Sequence, residues 1–238
     1  QPTYLLPTDI PTTAHTTITS MPDGKAVVAV YYAAAAPGGG FRLYREFHKV
    51  SLLGADPVRT ALVEALVPYA EDPDYTTLWP FPQWLNSLTV DGTVVTLDLQ
   101  NWPRLEAEEE QTAVQQLVYT VTANNTAVTA VRFLLNGKVP PSDHLDLSQP
   151  IARAPALGLL ANVWLLEPTQ DATVGSPVLV SVYGTGFEGN IPLEVFRGST
   201  LVWQGHVTTT MGGFAQASTT VTLAPGIYVV RAYNDNME

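Results

Sequence analysis

Cysteine is absent from this 238-residue sequence, and only 14% of the residues are charged. Without cysteine the chain can form no disulfide, thiolate nucleophile or Cys-ligated zinc site. The 11 Lys and Arg residues are outnumbered by 22 Asp and Glu, a formal net charge of −11, so the basic surface that neutralises phosphates is missing. We therefore expect no nucleic-acid partner, and an anionic membrane surface is disfavoured as well.

Long hydrophobic runs are also missing. The longest, Ala26–Ala36, is far shorter than the roughly 20 residues that a membrane-spanning helix requires. We therefore expect no transmembrane segment in this chain. The chain opens at Gln1 without a basic segment followed by an apolar one. The sequence is therefore compatible with a leader, or a lipid anchor, upstream of Gln1.

Hydrophobic residues make up 46% of the chain, which is enough to bury a core and excludes disorder as the main state. Residues 1–20 are rich in Thr and Pro, which predicts a tether or an extended arm. A Pro-rich stretch coincides with a change of pattern near residues 155–159. We therefore predict an α+β domain over residues 21–155 and an all-β domain over residues 160–238.

Turn and cap signals predict two hairpins and two helices in the first domain. The longer helix begins at about Glu106, and its apolar stripe is predicted to pack on a sheet while its opposite face is wet. The run of glutamates at its start is typical of the positive end of a helix dipole. The stripe consists of Val114, Leu117, Val118 and Val121, which pack together with Leu62 and Leu66 of the shorter helix.

Beyond Leu159 no helical stripe appears, and short alternating runs follow one another every 8 to 12 residues. This pattern predicts six strands and an immunoglobulin-like sandwich. Such a sandwich commonly has seven or more strands, so one edge is expected to be unpaired. Either a terminal segment is truncated or disordered, or another chain covers that edge. The predicted fold class is therefore an α+β domain, a sheet with two helices, followed by an all-β immunoglobulin-like sandwich.

Three segments of the first domain carry a resemblance to a known family: the Leu88–Leu99 hairpin, the helix EEEQTAVQQLVYTVTA and the strand AVTAVRFLLNGK. Over residues 25–139 the chain resembles the GerMN domain of bacterial sporulation and germination proteins. The segments Pro168–Pro177, GTGFEGNIPLEVF and Gly212–Phe214 resemble the immunoglobulin-like domain of bacterial spore germination. The resemblance implies an extracytoplasmic, often lipid-anchored protein of the bacterial cell envelope without established catalytic residues.

The candidate catalytic and cofactor motifs lack the spacing or the structural context that their chemistry requires. We therefore predict no catalytic residue, cofactor or metal site. Gly184–Gly189 has the G-x-G-x-x-G spacing of dinucleotide sites but leads into a predicted strand, not a helix, so these are turn glycines. The four histidines lack metal-ligand spacing, and His206 is predicted to face solvent from a strand. No G-x-S-x-G elbow is present.

Two clusters could form a binding surface. The aromatic residues Trp79, Phe81 and Trp84 lie in a Pro-rich loop that either fills a local core or stacks on a ligand. Arg42, Arg45 and Lys49 form a basic stripe that either meets an anionic wall polymer or pairs with the protein's own carboxylates.

The function predicted from these features is that of a non-catalytic envelope scaffold or docking protein, whose partner is an envelope protein or a cell-wall polymer. The alternative is a glycan-binding or glycan-hydrolysing protein that uses the Trp79–Trp84 loop. Hydrolysis would require a pair of carboxylates beside that loop, for which Glu71, Asp72 and Asp74 are the candidates, with Asp143 and Asp146 further along the chain.

Overall fold

The computed structural model describes residues 25–36 and 38–234, which divide into two compact units, 25–160 and 161–234. The predicted tether at residues 1–20 lies outside the described residues. Among the residues that are described, no helix has the length and apolar character required to cross a lipid bilayer.

The first unit has two helices and six strands, as expected for an α+β domain. Helix α1 begins behind Asp56, whose side chain accepts a hydrogen bond from the Arg59 N–H, and carries proline at its first turn. The elements are β1 (Lys25–Ala35), β2 (Phe41–Ser51), α1 (Pro57–Ala65), β3 (Leu85–Asp91), β4 (Val94–Leu99), α2 (Ala107–Asn124), β5 (Ala130–Leu135) and β6 (Ile151–Ala152).

These strands form two sheets. β1 and β2 form the predicted first hairpin, which is antiparallel. This hairpin is a two-stranded sheet of its own. The other sheet has the order β3-β4-β5-β6. β4 and β5 pair in parallel, so α2 serves as the crossover between them, and this topology follows from no local turn signal.

Helix α2 lies at the centre of the first unit and packs against α1, β1 and β5. The predicted apolar stripe is buried in the core with Leu62 and Leu66, which confirms that part of the prediction. The prediction that the opposite face of α2 is exposed to solvent is wrong, because the helix is buried on nearly all sides. Its buried polar side chains are those of Glu110, Thr112, Gln115, Gln116, Thr120 and Thr122.

Polar side chains of α2 form hydrogen bonds with backbone N–H and C=O groups of β1 that point away from β2. Asn124 accepts the Ala29 N–H at 3.0 Å and donates to the Ala29 carbonyl at 2.7 Å. Thr120 accepts the Tyr31 N–H at 3.1 Å. Ala33 exchanges two backbone hydrogen bonds with Thr76. The edge of β1 is thus sealed within the domain, which prevents it from pairing with another strand.

We expect Asn124→Ala to lower the free energy of unfolding of the first unit by about 2 kcal/mol, because it leaves both backbone groups of Ala29 without their partner. Urea unfolding measures the loss. The matched control is Gln111→Ala, an exposed position on the same helix, which should change stability by less than about 0.5 kcal/mol. Equal stability of the two variants would contradict the role of Asn124.

The second unit is an all-β sandwich of two three-stranded antiparallel sheets, as predicted. The sheets have the orders β11-β8-β7 and β10-β9-β12, and the apolar residues between them form a core that includes Val180, Val182, Ile191 and Leu193. The six strands are β7 (Val163–Glu167), β8 (Val178–Gly184), β9 (Asn190–Arg197), β10 (Thr200–Thr208), β11 (Ala215–Val221) and β12 (Val229–Ala232).

The dinucleotide-like glycines lie in the turn between β8 and β9. Gly184 ends β8, and a 3-10 turn over Phe187–Gly189 leads directly into β9. A Cβ at Gly186 would clash with the Asn190 carbonyl oxygen, and Gly189 has a φ of +80°. These glycines are therefore required by the turn and not by a phosphate.

The sequence predicts that the sandwich has an unpaired edge strand, and the strand order shows which strands lie at its edges. Over residues 161–234, β7, β10, β11 and β12 each pair on one side only. Capping of one of these edges by another chain stays a prediction.

Candidate functional site: an anchored aromatic loop

The aromatic loop, residues 78–84, lies between α1 and β3 and turns one of its three rings inward. Trp79 is only 3% exposed, and its indole N–H donates to the Ala113 carbonyl at 2.9 Å. Its ring contacts those of Trp102 and Phe133. Trp79 therefore fills the core, and its assignment to a binding surface is wrong because no partner can reach it.

The other two rings of the aromatic loop point outward. Phe81 is 60% exposed and Trp84 is 61% exposed. Exposed rings on a fixed backbone are typical of binding sites, because little conformational entropy is lost when they are covered.

Gln83 fixes the C-terminal end of the aromatic loop. Its side-chain oxygen accepts the backbone N–H of Trp84 at 3.0 Å and of Asn101 at 3.1 Å. Its amide nitrogen donates to the Asn101 carbonyl at 2.7 Å. Asn101 in turn donates to the Pro82 carbonyl, and the Gln100 N–H donates to the Trp84 carbonyl. The loop is thereby held against the chain that follows β4.

Gln116 fixes the N-terminal end from the centre of α2. Its side-chain oxygen accepts the Leu78 N–H at 3.3 Å, while its nitrogen donates to the Ala65 carbonyl and the Thr77 hydroxyl. Gln116 is fully buried, so both halves of its amide need these partners. A single side chain thus connects α2, the end of α1 and the aromatic loop.

Glu46 of β2 fixes the chain ahead of the aromatic loop. Its carboxylate accepts the backbone N–H of Glu71 at 3.0 Å and of Asp72 at 2.8 Å. Burial raises the pKa of the Asp72 carboxyl, the neighbouring charges of Asp74 and Glu46 add to this, and the N–H of Asp74 opposes it. Glu71 and Asp74 are exposed.

His48 lies between two carboxylates at the base of this arrangement. Its Nε2 is 2.8 Å from Glu46 and its Nδ1 is 2.9 Å from Glu64 of α1. Burial alone would lower the pKa of His48, but the hydrogen bonds and charges of Glu46 and Glu64 outweigh it and raise the pKa to about 9. His48 is therefore an imidazolium at neutral pH, bonded on both sides.

Tyr32 of β1 closes this cluster from the other side. Its ring stacks on His48, and its hydroxyl donates to the backbone carbonyl of Glu64 at 2.8 Å. Burial, followed by the nearby carboxylates, raises the pKa of Tyr32, which stays neutral. Both ring nitrogens of His48 are occupied and the residue is only 4% exposed, so the cluster connects β2 to α1 and offers no group to a substrate.

Sequence reasoning missed this cluster because it examined the histidines for metal-ligand spacing alone. Glu46 and His48 are two residues apart on one strand and therefore share a face, which was a usable signal. Glu64 lies on α1, and no sequence spacing predicts that it contacts His48. Among the residues that the structure describes, no group of three His, Cys, Asp or Glu side chains could hold a metal ion.

Glu110, one of the glutamates at the start of α2 that the helix dipole favours, has a further role. It is buried, and its carboxylate accepts hydrogen bonds from the Trp102 indole at 2.9 Å and the Ser142 hydroxyl at 2.7 Å. Glu110 thus ties the segment after β5 to the aromatic core beneath the aromatic loop.

The predicted basic stripe does not lie on one surface. Side chains alternate along β2, so Arg42 faces one side of the hairpin while Arg45 and Lys49 face the other. The Arg42 guanidinium is 3.6 Å from the Glu108 carboxylate, and that of Arg45 lies over the Phe47 ring at 4.7 Å. The prediction of a single stripe is therefore wrong, because its spacing of three and four residues fits a helix and not a strand.

In the second unit, the structure places His206 where the sequence predicted it. Its side chain is exposed on β10, opposite Pro192 of β9. It belongs to no cluster that could bind a metal within residues 161–234.

Comparison with known families gives two matches. Residues 29–140 match a family described as "Sporulation and spore germination". Residues 162–238 match a family described as "Immunoglobulin-like domain of bacterial spore germination". No curated protein matches the chain.

Solved structures with similarity to this chain include the following three. The tandem GerMN domains of the sporulation protein GerM from Bacillus subtilis share 18% identity at a TM-score of 0.48, covering 57% of this chain and 48% of that chain. This chain thus spans about half the length of that protein. A candidate lipoprotein from Clostridium perfringens shares 16% identity at a TM-score of 0.37, covering 57% and 93%. The first GerMN domain of GerM shares 19% at 0.36, covering 51% and 99%.

Proposed function

We propose that this chain is a non-catalytic docking protein of the bacterial cell envelope. The premise is that residues 29–140 are a sporulation and spore germination domain and that residues 162–238 are an immunoglobulin-like domain of bacterial spore germination. In this role the protein is extracytoplasmic and holds a second envelope protein. The docking surface is formed by Phe81 and Trp84 of the aromatic loop.

One observation carries the proposal: the aromatic loop exposes two large rings on a backbone that is tied down at both ends. Gln116 holds its start, Gln83 holds its end, and Trp79 anchors its middle in the core. A loop that merely filled the core would bury all three aromatic side chains, and the molecule instead keeps two of them in solvent.

The charge around the aromatic loop favours a protein partner over a wall polymer. Residues 60–103 include six Asp or Glu and no Lys, Arg or His. An anionic polymer would be repelled by this segment. The three candidate carboxylates ahead of the aromatic loop also make a poor pair for glycan hydrolysis, since only Asp72 is partly buried while Glu71 and Asp74 are exposed.

The test is binding of the full chain to solubilised envelope proteins, compared with the double variant Phe81→Ser and Trp84→Ser. We expect the double variant to lose at least about tenfold in recovery of a discrete partner, because exposed aromatic anchors dominate such interfaces. The variant should keep its unfolding midpoint, since neither ring belongs to the core.

The matched control is Tyr69→Ser, which removes another exposed ring, 70% in solvent, from the same unit. It should bind as the wild type does. Equal recovery by the wild type and the double variant would overturn the proposed surface. Binding to protein-free cell-wall sacculi that depends on Phe81 and Trp84 would replace the docking role with the glycan-binding alternative.

A further inference from the structure

Strand β3 follows the aromatic loop directly and is an edge of the four-stranded sheet. It pairs with β4 on one side, and among the described residues no strand lies on its other side. This contrasts with β1, whose edge is sealed by Asn124, Thr120 and Thr76. The opposite edge of the four-stranded sheet is β6, which is only two residues long.

The turn between β3 and β4 determines which backbone groups of β3 face outward. Gly92, with a φ of +56°, and Thr93 form a two-residue turn, so Asp91 and Val94 are a hydrogen-bonded pair. Pairs alternate along an antiparallel ladder, so the N–H and C=O groups of Leu88 and Val90 point away from β4. No hydrogen bond to these groups occurs in the described part of the chain.

Side chains along β3 alternate in chemistry. Leu88 and Val90 lie on the side of the sheet that faces the core, and Val90 is nevertheless 55% exposed. Ser87, Thr89 and Asp91 lie on the other side. An added strand would therefore meet an apolar row on one face and a polar row on the other.

The polar row is acidic. Asp91 ends β3, and Asp98 of β4 is the register partner of Ser87. Neither carboxylate takes part in an ion pair within the described residues, and β3 and β4 contain no basic residue. A strand that carries Lys or Arg on its polar face would be electrostatically complementary to this row.

We propose that β3 receives an extended segment of the docking partner as a fifth strand, and that this segment alternates apolar and basic residues. The proposal rests on the proposed docking function and names its partner's chemistry. Backbone hydrogen bonds to Leu88 and Val90 supply the common part of the affinity. The apolar side chains cover Val90 beside Leu88, while the basic side chains meet Asp91 at the end of β3.

The experiment titrates the full chain with synthetic nine-residue peptides and follows amide NMR signals. The first peptide alternates Val and Lys, the second alternates Val and Glu, and the third repeats the first with alternate backbone amides N-methylated on the bonding edge. The N-methylated peptide keeps every side chain and lacks the N–H donors on the bonding edge.

We expect the Val–Lys peptide to protect the amide protons of Leu88 and Val90 from exchange and to bind at least about tenfold more tightly than the Val–Glu peptide. N-methylation should abolish the protection. Asp91→Asn, at an exposed position at the end of the strand, should weaken Val–Lys binding severalfold and leave the fold intact.

Two results would overturn strand addition and remain distinct from failure of the docking role. Equal binding of the Val–Lys peptide and its N-methylated form would show that side chains alone bind, as at an aromatic docking surface without strand addition. Protection at Leu88 and Val90 by none of the peptides would exclude this class of partner, while recovery of an envelope protein through Phe81 and Trp84 would still support docking.

Discussion

Replacing Val118 with Asp is expected to unfold the first unit. Val118 is fully buried in the core formed by α2, α1 and the sheets, and no cation lies in that core cluster to pair with a carboxylate. A buried, unpaired charge costs several kcal/mol, which is comparable to the whole stability of a domain, roughly 5 to 15 kcal/mol. Circular dichroism during urea unfolding measures the loss.

The second unit provides an internal reference for this variant. Its core residues come only from residues 161–234, so its unfolding transition should persist when that of the first unit is lost. Val139→Asp, which changes an exposed position, is the matched control and should shift stability by no more than about 0.5 kcal/mol. A wild-type midpoint for Val118→Asp would refute the packing of α2.

Replacing His48 with Leu is expected to cost roughly 3 to 5 kcal/mol of unfolding free energy in the first unit. The substitution leaves the carboxylates of Glu46 and Glu64 facing each other without the cation that both contact. It also weakens the support of residues 71 and 72, since Glu46 accepts their backbone N–H groups. Urea unfolding at pH 6 is the measurement.

The pH dependence of wild-type stability gives the same interaction an independent readout. The folded pKa of His48, about 9, is above its ordinary value of 6.5, so folding favours the protonated form. This contribution is fully present below about pH 6.5 and is lost as the pH rises to about 9 and above. Stability of the first unit should fall by roughly 3 kcal/mol across this window.

His48→Leu should lose that slope between pH 6.5 and 9, whereas His206→Gln should retain it, because His206 is exposed in the second unit. A wild-type profile that is flat over this window would show that the two carboxylates do not hold the imidazolium.

The sequence predicts local elements of this protein well because their signals are local. Asp56 followed by Pro57 marks the start of α1, and Asp91 followed by Gly92 marks the turn of the β3–β4 hairpin. The parallel pairing of β4 with β5 depends on how a crossover helix packs, which no short pattern encodes.

The α2 helix shows where periodicity misleads. Gln116 and Thr120 lie off the apolar stripe and were expected in water, yet both are buried because they satisfy backbone groups of the aromatic loop and of β1. Polar residues on a helix can thus be as deeply buried as leucine when the neighbouring chain supplies their hydrogen bonds.

The candidate site was predictable in part. The density of aromatic residues indicated the aromatic loop, but the sequence could not separate buried Trp79 from exposed Phe81 and Trp84, since all three lie in the same short Pro-rich segment. The separation follows from the Ala113 carbonyl, a single acceptor on α2 that holds the Trp79 indole.

The dependence of β1 on Asn124 also has a consequence for the order in which the chain acquires structure. The two are 95 residues apart in sequence, and β1 belongs to the longest apolar run of the chain. A ribosome completes the β1–β2 hairpin well before it reaches α2, so a nascent chain carries an unsealed, alanine-rich edge until residue 124 has emerged. We therefore expect fragments that stop before Ala107 to self-associate through this edge.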